Sequence, residues 1–431
     1  MATTRGGNLF AAQDFPVHLE QSGLLETRVE GCCLATLQQR LFFYAWLDAR
    51  PMRLFECQFC GQPLYFENTF CESCGHRLGF SASLRTLSAV DWADGAWIAL
   101  ADPSRPFRFC ANAKYDVCNW LVAADGPDPY CVACRHNRVI PNLSRARNVE
   151  RWRRLEVAKR RLFYTLLKLD LPIIDRSEDP HGLAFDFLSD PAEGTTLAPT
   201  ILTGHDNGLI TINIAEADDA ERERRRQAMG EPYRTLLGHF RHEIAHYYWD
   251  VLVGRDESLE SFRLIFGDER QDYGAALRKH YATGPPVSWR TRFVSAYASA
   301  HPWEDWAETW AHYLHLIDTL ETASAFGLSV RPQMSHGRLM SAAIDFDPHD
   351  VGDLNRLVAA WAPLTFAVNS LNRSMGQPDL YPFVLAPTVI GKLAFVHERI
   401  YAATGRDPGS GTEADLLKAI AAGLRNRPPM A

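Results

Sequence analysis

Hydrophobic residues change from short, turn-broken groups to helical spacing at about residue 144. From Leu54 to about Ile140 the apolar and aromatic residues are interrupted at Asp102-Pro103 and at Gly126-Pro127-Asp128-Pro129, which predicts small strands and turns. From Ser144 to Leu169 apolar residues recur mostly at helical spacing among charges, and Pro172 stops the run. We therefore predict one long helix after the strand-rich region.

Two strand-like stretches follow this helix. They are Leu183–Leu188 and Leu209–Ile214, separated by a predicted loop from Ser189 to Gly208. The second stretch carries Thr211 and Asn213, and we expect it to be an edge strand along which an extended peptide can add. The rest of the chain is predominantly helical in pattern.

Composition and charge narrow the class of protein. The chain has 431 residues, 46% of them hydrophobic and 23% charged, which is typical of a folded protein with domains of roughly 100–200 residues each. A net charge of −7 gives no broad attraction for nucleic acid or anionic membrane. The N-terminus lacks the apolar core of a signal peptide, and Pro363 interrupts the best apolar run, Leu357–Val368. We therefore predict a cytoplasmic protein without a membrane partner.

Eight of the ten cysteines fall into two groups with metal-ligand spacing. The first group is Cys57, Cys60, Cys71 and Cys74. The second group is Cys110, Cys118, Cys131 and Cys134. In a reducing compartment such spacing favours metal thiolates over disulfides, and Cys32 and Cys33 remain as free thiols. Four thiolates leave no open coordination position, so we predict two structural zincs in a binding or scaffold module.

A basic stretch runs from Arg135 to Arg161 and contains ten Lys or Arg residues, with the aromatic residues Trp152 inside it and Phe163 just after it. Such a stretch is one form of nucleic-acid face. The alternative is an exposed helix that pairs with acidic surface elsewhere in this acidic protein, and we favour that alternative.

The sharpest chemical motif is His242-Glu243-Ile244-Ala245-His246. On a helix the two histidines project from one face and can bind one zinc, while Glu243 lies beside them as a general base for an activated water. The metzincin class is excluded, because Trp249 and Leu252 stand where its motif requires glycine and histidine.

A third protein ligand is expected downstream, in His301-Pro-Trp-Glu304-Asp-Trp-Ala-Glu308. Proline suits a helix start, which puts Glu304 in the first turn and Glu308 one turn later on the same face. We assign Glu304 to zinc and Glu308 to the N–H of a zinc-bound imidazole. Asp305 is expected to be a surface or capping residue.

These motifs together resemble the bacterial zinc-binding metallopeptidases that carry an N-terminal zinc ribbon. The residues that carry the resemblance are Phe55-Glu-Cys57-Gln-Phe-Cys60-Gly-Gln-Pro-Leu-Tyr-Phe-Glu-Asn68, Cys71-Glu-Ser-Cys74-Gly, Gly238-His-Phe-Arg-His242-Glu-Ile-Ala-His246-Tyr-Tyr-Trp and His301-Pro-Trp-Glu304-Asp-Trp-Ala-Glu308-Thr-Trp. The match runs from about Met52 to about residue 405. The first 51 residues depart from the pattern, and we interpret them as an N-terminal extension outside the functional chain.

More distantly, the arrangement is similar to gluzincins such as anthrax lethal factor. In that comparison a Glu-x-x-x-Glu helix supplies the third ligand and then an outer acid, and a tyrosine seven residues before the ligand glutamate faces the site. Tyr297 occupies that position here. Its phenol is a candidate donor to the oxyanion, a packing role is the alternative, and Tyr247, Tyr248 and Tyr281 are rival donors.

The sequence thus predicts an α+β protein with three parts: the extension 1–51, a zinc-ribbon module with two four-cysteine sites at 52–142, and a mainly helical, zincin-like gluzincin domain with a small sheet at 143–425. The predicted function is a zinc peptidase, with one catalytic and two structural zincs and a peptide or protein substrate. Two alternatives stay open. One is a nucleic-acid- or protein-binding ribbon protein whose protease-like domain acts on DNA-bound proteins or is inactive, and the other is a deamidase or isopeptidase.

Overall fold

The computed structural model describes residues 54–190, 201, 203–229, 234–254, 258–334 and 340–407. These residues all belong to one unit of the chain, Arg50–Ala431. The predicted N-terminal extension, with Cys32 and Cys33, lies outside the described residues.

Helices dominate the described part of the chain after residue 145. They are α1 (Ala146–Lys168), α2 (Asp219–Met229), α3 (Leu236–Leu252), α4 (Ser258–Phe266), α5 (Tyr273–Thr283), α6 (Pro302–Ala325), α7 (Leu354–Ser374) and α8 (Pro387–Ala403). The strands are β1 (Phe55–Glu56), β2 (Pro63–Leu64), β3 (Arg77–Ser81), β4 (Thr86–Ala93), β5 (Ala96–Ala99), β6 (Asp102–Phe109), β7 (Trp120–Ala123), β8 (Asn137–Val139), β9 (Ala184–Leu188), β10 (Gly204–Asp206), β11 (Leu209–Asn213), β12 (Ser329–Val330) and β13 (Ala342–Ala343). The predicted α+β class is confirmed, since strands with the cysteine clusters precede a largely helical part with small sheets.

The N-terminal module contains a closed five-stranded barrel, β3-β4-β5-β6-β7, that the sequence did not predict. Its interior is a small cluster that includes Phe107 and Leu121, whereas the fully buried Phe80 and Trp120 belong to the main core of the chain, with their ring centroids 4.7 Å apart. Gly79 is required by close packing, because a Cβ there would lie 2.5 Å from the Leu121 side chain. The two cysteine groups flank and interrupt this barrel, so metal binding and barrel closure involve the same short stretch of chain.

Helix α1 connects the N-terminal module to the helical part, close to the predicted bounds of 144–169. Its apolar residues are buried on more than one side, and Trp152, Leu155, Leu162 and Phe163 are all fully buried. Asp170, directly after the helix, has φ 55°, a left-handed conformation that ends helices. The helix is therefore a core element shared by both parts of the chain.

The four-stranded sheet has the order β10-β11-β9-β8, with β11 parallel to β9 and β10 antiparallel to β11. The expectation that the Leu209–Asn213 strand is an edge strand is wrong, because β10 covers it. Asn207 and Gly208 form a two-residue turn with φ of 47° and 78°, the geometry that Asn-Gly favours in hairpins. The exposed edge on this side is β10.

Helices α3 and α6 pack against each other in the core and carry the predicted zinc ligands. Thr235 caps α3 by accepting a hydrogen bond from the Gly238 N–H, and His301 caps α6 ahead of Pro302. The Trp306 indole on α6 donates to the Ala245 carbonyl at 2.7 Å. This buried hydrogen bond fixes the register of the two helices where the motifs meet.

Among the helices of the described residues, none combines the length and apolar character needed to cross a membrane.

Candidate active site

The structure brings His242, His246 and Glu304 together across the α3–α6 contact. The His242 Nε2 atom lies 3.1 Å from Glu304 Oε2, and the His246 Nε2 atom lies 3.9 Å from Glu304 Oε1. One ligand atom from each of the three residues fits within 4.8 Å of the others. Nitrogen and oxygen ligands at 2.0–2.2 Å from a tetrahedral zinc lie about 3.3 Å apart, so the spacing suits a single zinc.

The hydrogen bonds around His242 test whether a metal fits. Its Nδ1 lies 2.8 Å from Glu308 Oε1, and a carboxylate can only accept, so this nitrogen carries the proton. In the neutral ring, the lone pair of Nε2 then faces Glu304 Oε2, a buried atom with no hydrogen-bond partner among the described residues. A cation between them removes the repulsion. A proton could bridge these two atoms, but a third ligand, His246, converges on the same point, which fits a metal ion better.

Burial and nearby charges give two of the three candidate ligands the form that zinc needs. Burial lowers the pKa of His246 to about 4, so its imidazole is neutral at pH 7. Burial alone would raise the pKa of Glu304, but the close imidazole rings of His242 and His246 hold that pKa at about 2. A neutral imidazole and an ionised carboxylate are the states that bind metal.

Glu243 follows the first histidine on α3 and is partly exposed. Burial raises the pKa of its carboxyl to about 7, while the neighbouring His242 opposes this shift. A base whose pKa lies near the working pH transfers protons efficiently in both directions. A cation at the adjacent ligand set would lower this pKa, which favours the ionised base.

Glu308 is held from two sides. In addition to the His242 contact, its Oε2 accepts a hydrogen bond from the Ser295 hydroxyl at 2.5 Å. The Ser295 oxygen in turn accepts from the Ala298 N–H at 3.1 Å. Sequence reasoning missed Ser295, because it lies in an irregular segment with no motif around it.

Asp305 is not a surface or capping residue, contrary to the expectation from sequence. Its side chain is fully buried and forms an ion pair with Lys392 on α8, with Nζ to Oδ2 at 2.5 Å. The amino group also donates to the Arg292 carbonyl at 2.7 Å. The ion pair therefore joins α6 to α8 next to the candidate ligand Glu304.

Two tyrosines lie near the candidate ligands. The Tyr297 ring centroid is 6.0 Å from that of His242, and the Tyr273 hydroxyl donates to Glu304 Oε1 at 2.6 Å. Sequence reasoning missed Tyr273, which begins a separate helix with no motif to mark it. Of the rival tyrosines, Tyr248 donates to the Pro172 carbonyl and Tyr281 is 61% exposed.

The β10–β11 hairpin closes another side of the site. The His205 ring stacks against His246 with centroids 5.8 Å apart. Its Nε2 accepts a hydrogen bond from the Gly208 N–H at 2.9 Å, so the proton of the neutral ring is on Nδ1. The Asn-Gly turn was the sequence signal that could have found this hairpin and the histidine on it.

The first cysteine group forms a compact cluster of sulfur atoms. The Sγ atoms of Cys57 and Cys74 are 3.6 Å apart, and those of Cys60 and Cys71 are 3.5 Å apart. A disulfide would require about 2.05 Å, whereas a tetrahedral zinc with bonds of about 2.3 Å separates its sulfurs by about 3.8 Å. The geometry fits zinc.

The second cysteine group is fully buried against α1. Its Cys118 and Cys131 sulfurs are 3.8 Å apart, and the backbone N–H groups of Trp120 and Cys131 donate to cluster sulfurs. Such amide donors stabilise thiolates and orient them. The buried Arg160 side chain lies beside this cluster, where it donates to the Val117 carbonyl and offsets the charge of Cys118.

The basic stretch 135–161 is largely paired within the chain. Arg147 and Arg151 both bind Asp218, and Arg161 pairs with Glu67. Other residues of the stretch also form ion pairs: Arg135 with Asp128, Arg138 with Asp186, Arg153 with Asp116 and Glu150, Arg154 with Glu150 and Asp219, and Lys159 with Glu156. These contacts neutralise much of the charge that would attract nucleic acid.

The fold and the ligand clusters define a zinc-ribbon module joined to a metallopeptidase-type helical part. A zinc-ribbon domain model matches residues 54–145. The chain belongs to the family described as "Putative zinc-binding metallo-peptidase", whose model matches residues 148–399. The resemblance proposed from the sequence motifs is thereby confirmed at the level of this family and its ribbon.

Relatives in mycobacteria are similar over most of their length. Uncharacterized proteins of Mycobacterium bovis and of two Mycobacterium tuberculosis strains are each 44% identical over 350 residues, covering 80% of this chain and 94% of the relative. No solved structure matches the chain significantly.

Proposed function

We propose that the chain is a zinc-dependent peptidase that hydrolyses peptide bonds with Glu243 as general base. The observation that carries this proposal is the convergence of His242, His246 and Glu304 within 4.8 Å, with Glu243 on the same helix. The family description supports a peptidase role. Peptides or proteins are accordingly the proposed substrates.

Each residue of the site has a role in this chemistry. When bound by the three ligands, zinc lowers the pKa of a water molecule and polarises the scissile carbonyl. Glu243 takes the proton of the attacking water and delivers it to the leaving amine. Glu308 fixes the ring of His242 through its Nδ1 proton. Because the Tyr273 hydroxyl is already bound to Glu304, Tyr297 is the proposed donor to the developing oxyanion.

The two cysteine groups are proposed as structural zinc sites, which makes three zincs per chain. The three ligand sets share no residue, so all can be filled at once. Only the set of two histidines and one glutamate leaves a coordination position for substrate chemistry, since the four-cysteine sets are closed.

Metal analysis combined with peptide-library cleavage tests the proposal. The wild-type chain should hold three zincs and cleave peptides, and Glu243→Gln should keep the zincs and lose cleavage, because an amide cannot act as base. Glu260→Gln is the matched control, since this glutamate is exposed on α4. Undiminished cleavage by Glu243→Gln, or fewer zincs than three after metal-replete expression, contradicts the assignment.

A further inference from the structure

Helix α5 lines a cavity and does not pack onto the hydrophobic core. The cavity has a volume of about 670 Å³ and lies between α5, residues 284–287 and residues 299–300. No side chain of α5 is buried, and Ala276 and Leu277 remain partly exposed. A helix of this length is marginal without packing partners, so a ligand in the cavity would supply contacts that the chain itself does not.

The cavity adjoins the candidate active site. The first residue of α5, Tyr273, is hydrogen-bonded to Glu304, and His280 on the cavity wall lies with its ring 6.0 Å from that of Tyr297. On the other wall, Ser299 and Ala300 lead directly into the His301 cap of α6. The cavity therefore borders the side of the candidate site on which Tyr273 and Tyr297 lie.

One positive charge on the cavity wall is not compensated. Lys279 lines the cavity, and the described residues provide no ion pair for its ammonium group. Asp272 also lines the cavity, but its Oδ1 caps α5 by accepting from the Ala275 N–H at 2.8 Å, where the helix dipole offsets part of its charge. Burial lowers the pKa of His280, so this ring is neutral at pH 7. The positive charge facing the cavity is that of Lys279.

We propose that this cavity binds the substrate segment next to the scissile bond and prefers an acidic side chain, Asp or Glu, opposite Lys279. The proposal rests on the proposed peptidase function and adds a substrate class to it. The volume lies within the range of about 300–1,000 Å³ that is usual for ligand sites. An ion pair at this partly solvated wall contributes selectivity rather than large affinity.

Peptide binding to a hydrolysis-deficient chain tests the proposal. The probes are fluorescein-labelled mixtures of short random peptides, identical except for Glu, Gln or Lys fixed at the central position, and the readout is fluorescence anisotropy with zinc-loaded, full-length Glu243→Gln protein. We expect the Glu mixture to bind about three- to tenfold more tightly than the Lys mixture, and the preference to shrink at high salt.

Variants of the same protein assign the preference to one residue. Lys279→Glu should reverse the order of the Glu and Lys mixtures, and Lys279→Arg should keep it. Arg290→Glu is the matched control, because it makes the same charge change at an exposed residue that does not line the cavity, and it should leave the order unchanged. Circular dichroism checks folding, which an exposed position on α5 should not disturb.

Failure of the cavity proposal can be distinguished from failure of the proposed peptidase function. Equal binding of the Glu and Lys mixtures, no binding of any mixture, or an unchanged order in Lys279→Glu overturns the acidic-peptide cavity. If the order reverses as expected but wild-type protein cleaves no peptide, the cavity assignment stands and the proposed catalytic function is the part that fails.

Discussion

At the scale of single residues, the candidate site depends on side chains that hold other side chains. Ser295 fixes Glu308, and Glu308 fixes the His242 ring so that Nε2 faces Glu304. Because each contact uses a specific oxygen or nitrogen, the ligand lone pairs are aimed before any metal binds. This preorganisation reduces the cost of ordering the site when metal or substrate arrives.

Replacing each of the two tyrosines by phenylalanine should impair a different property of the site. Tyr297→Phe should keep zinc and lose roughly ten- to a thousandfold in kcat with little change in KM, because a donor to the oxyanion acts mainly in the transition state. Tyr273→Phe removes a hydrogen bond to the proposed ligand Glu304, so we expect it to weaken zinc retention instead. Steady-state kinetics and competition with a fluorescent chelator separate the two effects. Loss of thermal stability with unchanged turnover in Tyr297→Phe would identify it as a packing residue.

The residues that sequence reasoning could place are those with local spacing. His242, Glu243 and His246 share one helix turn, and Glu304 with Glu308 repeat that spacing on another, so helical periodicity suffices to put each set on one face. Tyr273, Ser295 and His205 come from three other segments, and only tertiary packing brings them to the site. The pairing of Asp305 with Lys392 could not be predicted for the same reason, and without a partner in view Asp305 was expected at the surface.

At the scale of elements, the β10–β11 hairpin decides which strand edge faces the site. Its turn places Gly208 at φ 78° and directly against the chain before β9, where an added Cβ would lie 2.1 Å from the His181 carbonyl oxygen. The sequence pattern located β9 and β11 to within a residue or two, because both are apolar and buried. It missed β10, which is short and polar and is defined by its turn and its partner strand.

Substituting the two glycines of this hairpin should affect the stability of the chain differently. Gly208→Ala should destabilise the chain by about 1–3 kcal/mol and reduce peptide cleavage, because it strains the turn that carries His205. Gly204→Ala is the control, since nothing lies within 4 Å of its added Cβ and its φ is not left-handed. Thermal unfolding and cleavage assays measure both effects. Equal stability of the two variants would show that the turn relaxes without strain.

At the scale of the whole molecule, α1 ties the zinc-ribbon module to the peptidase core. One part of it covers the second cysteine group through Arg160, and another reaches α6 through Thr165, whose hydroxyl donates to Asp318 at 2.8 Å. The cysteine spacing was enough to predict two metal clusters in this module. The closed barrel between them was not predictable, because its closure depends on the β3–β7 pairing of residues far apart in sequence.

Stepwise metal removal should therefore affect the molecule in a graded order. A chelator such as EDTA should first remove the catalytic zinc, whose histidine ligands are partly exposed, and abolish cleavage while leaving the fold intact. The first cysteine cluster should follow, because Cys60 is exposed, and the second should be last, because all four of its cysteines are buried. For the same reason Cys118→Ala should lower the unfolding temperature more than Cys60→Ala does, because it leaves an incomplete, buried cysteine cluster beside the buried Arg160 side chain. Zinc release followed with a chromogenic chelator, alongside circular dichroism and cleavage, gives the order directly. If loss of the first zinc coincides with unfolding, the site formed by His242, His246 and Glu304 is structural and the division of roles among the three clusters is wrong.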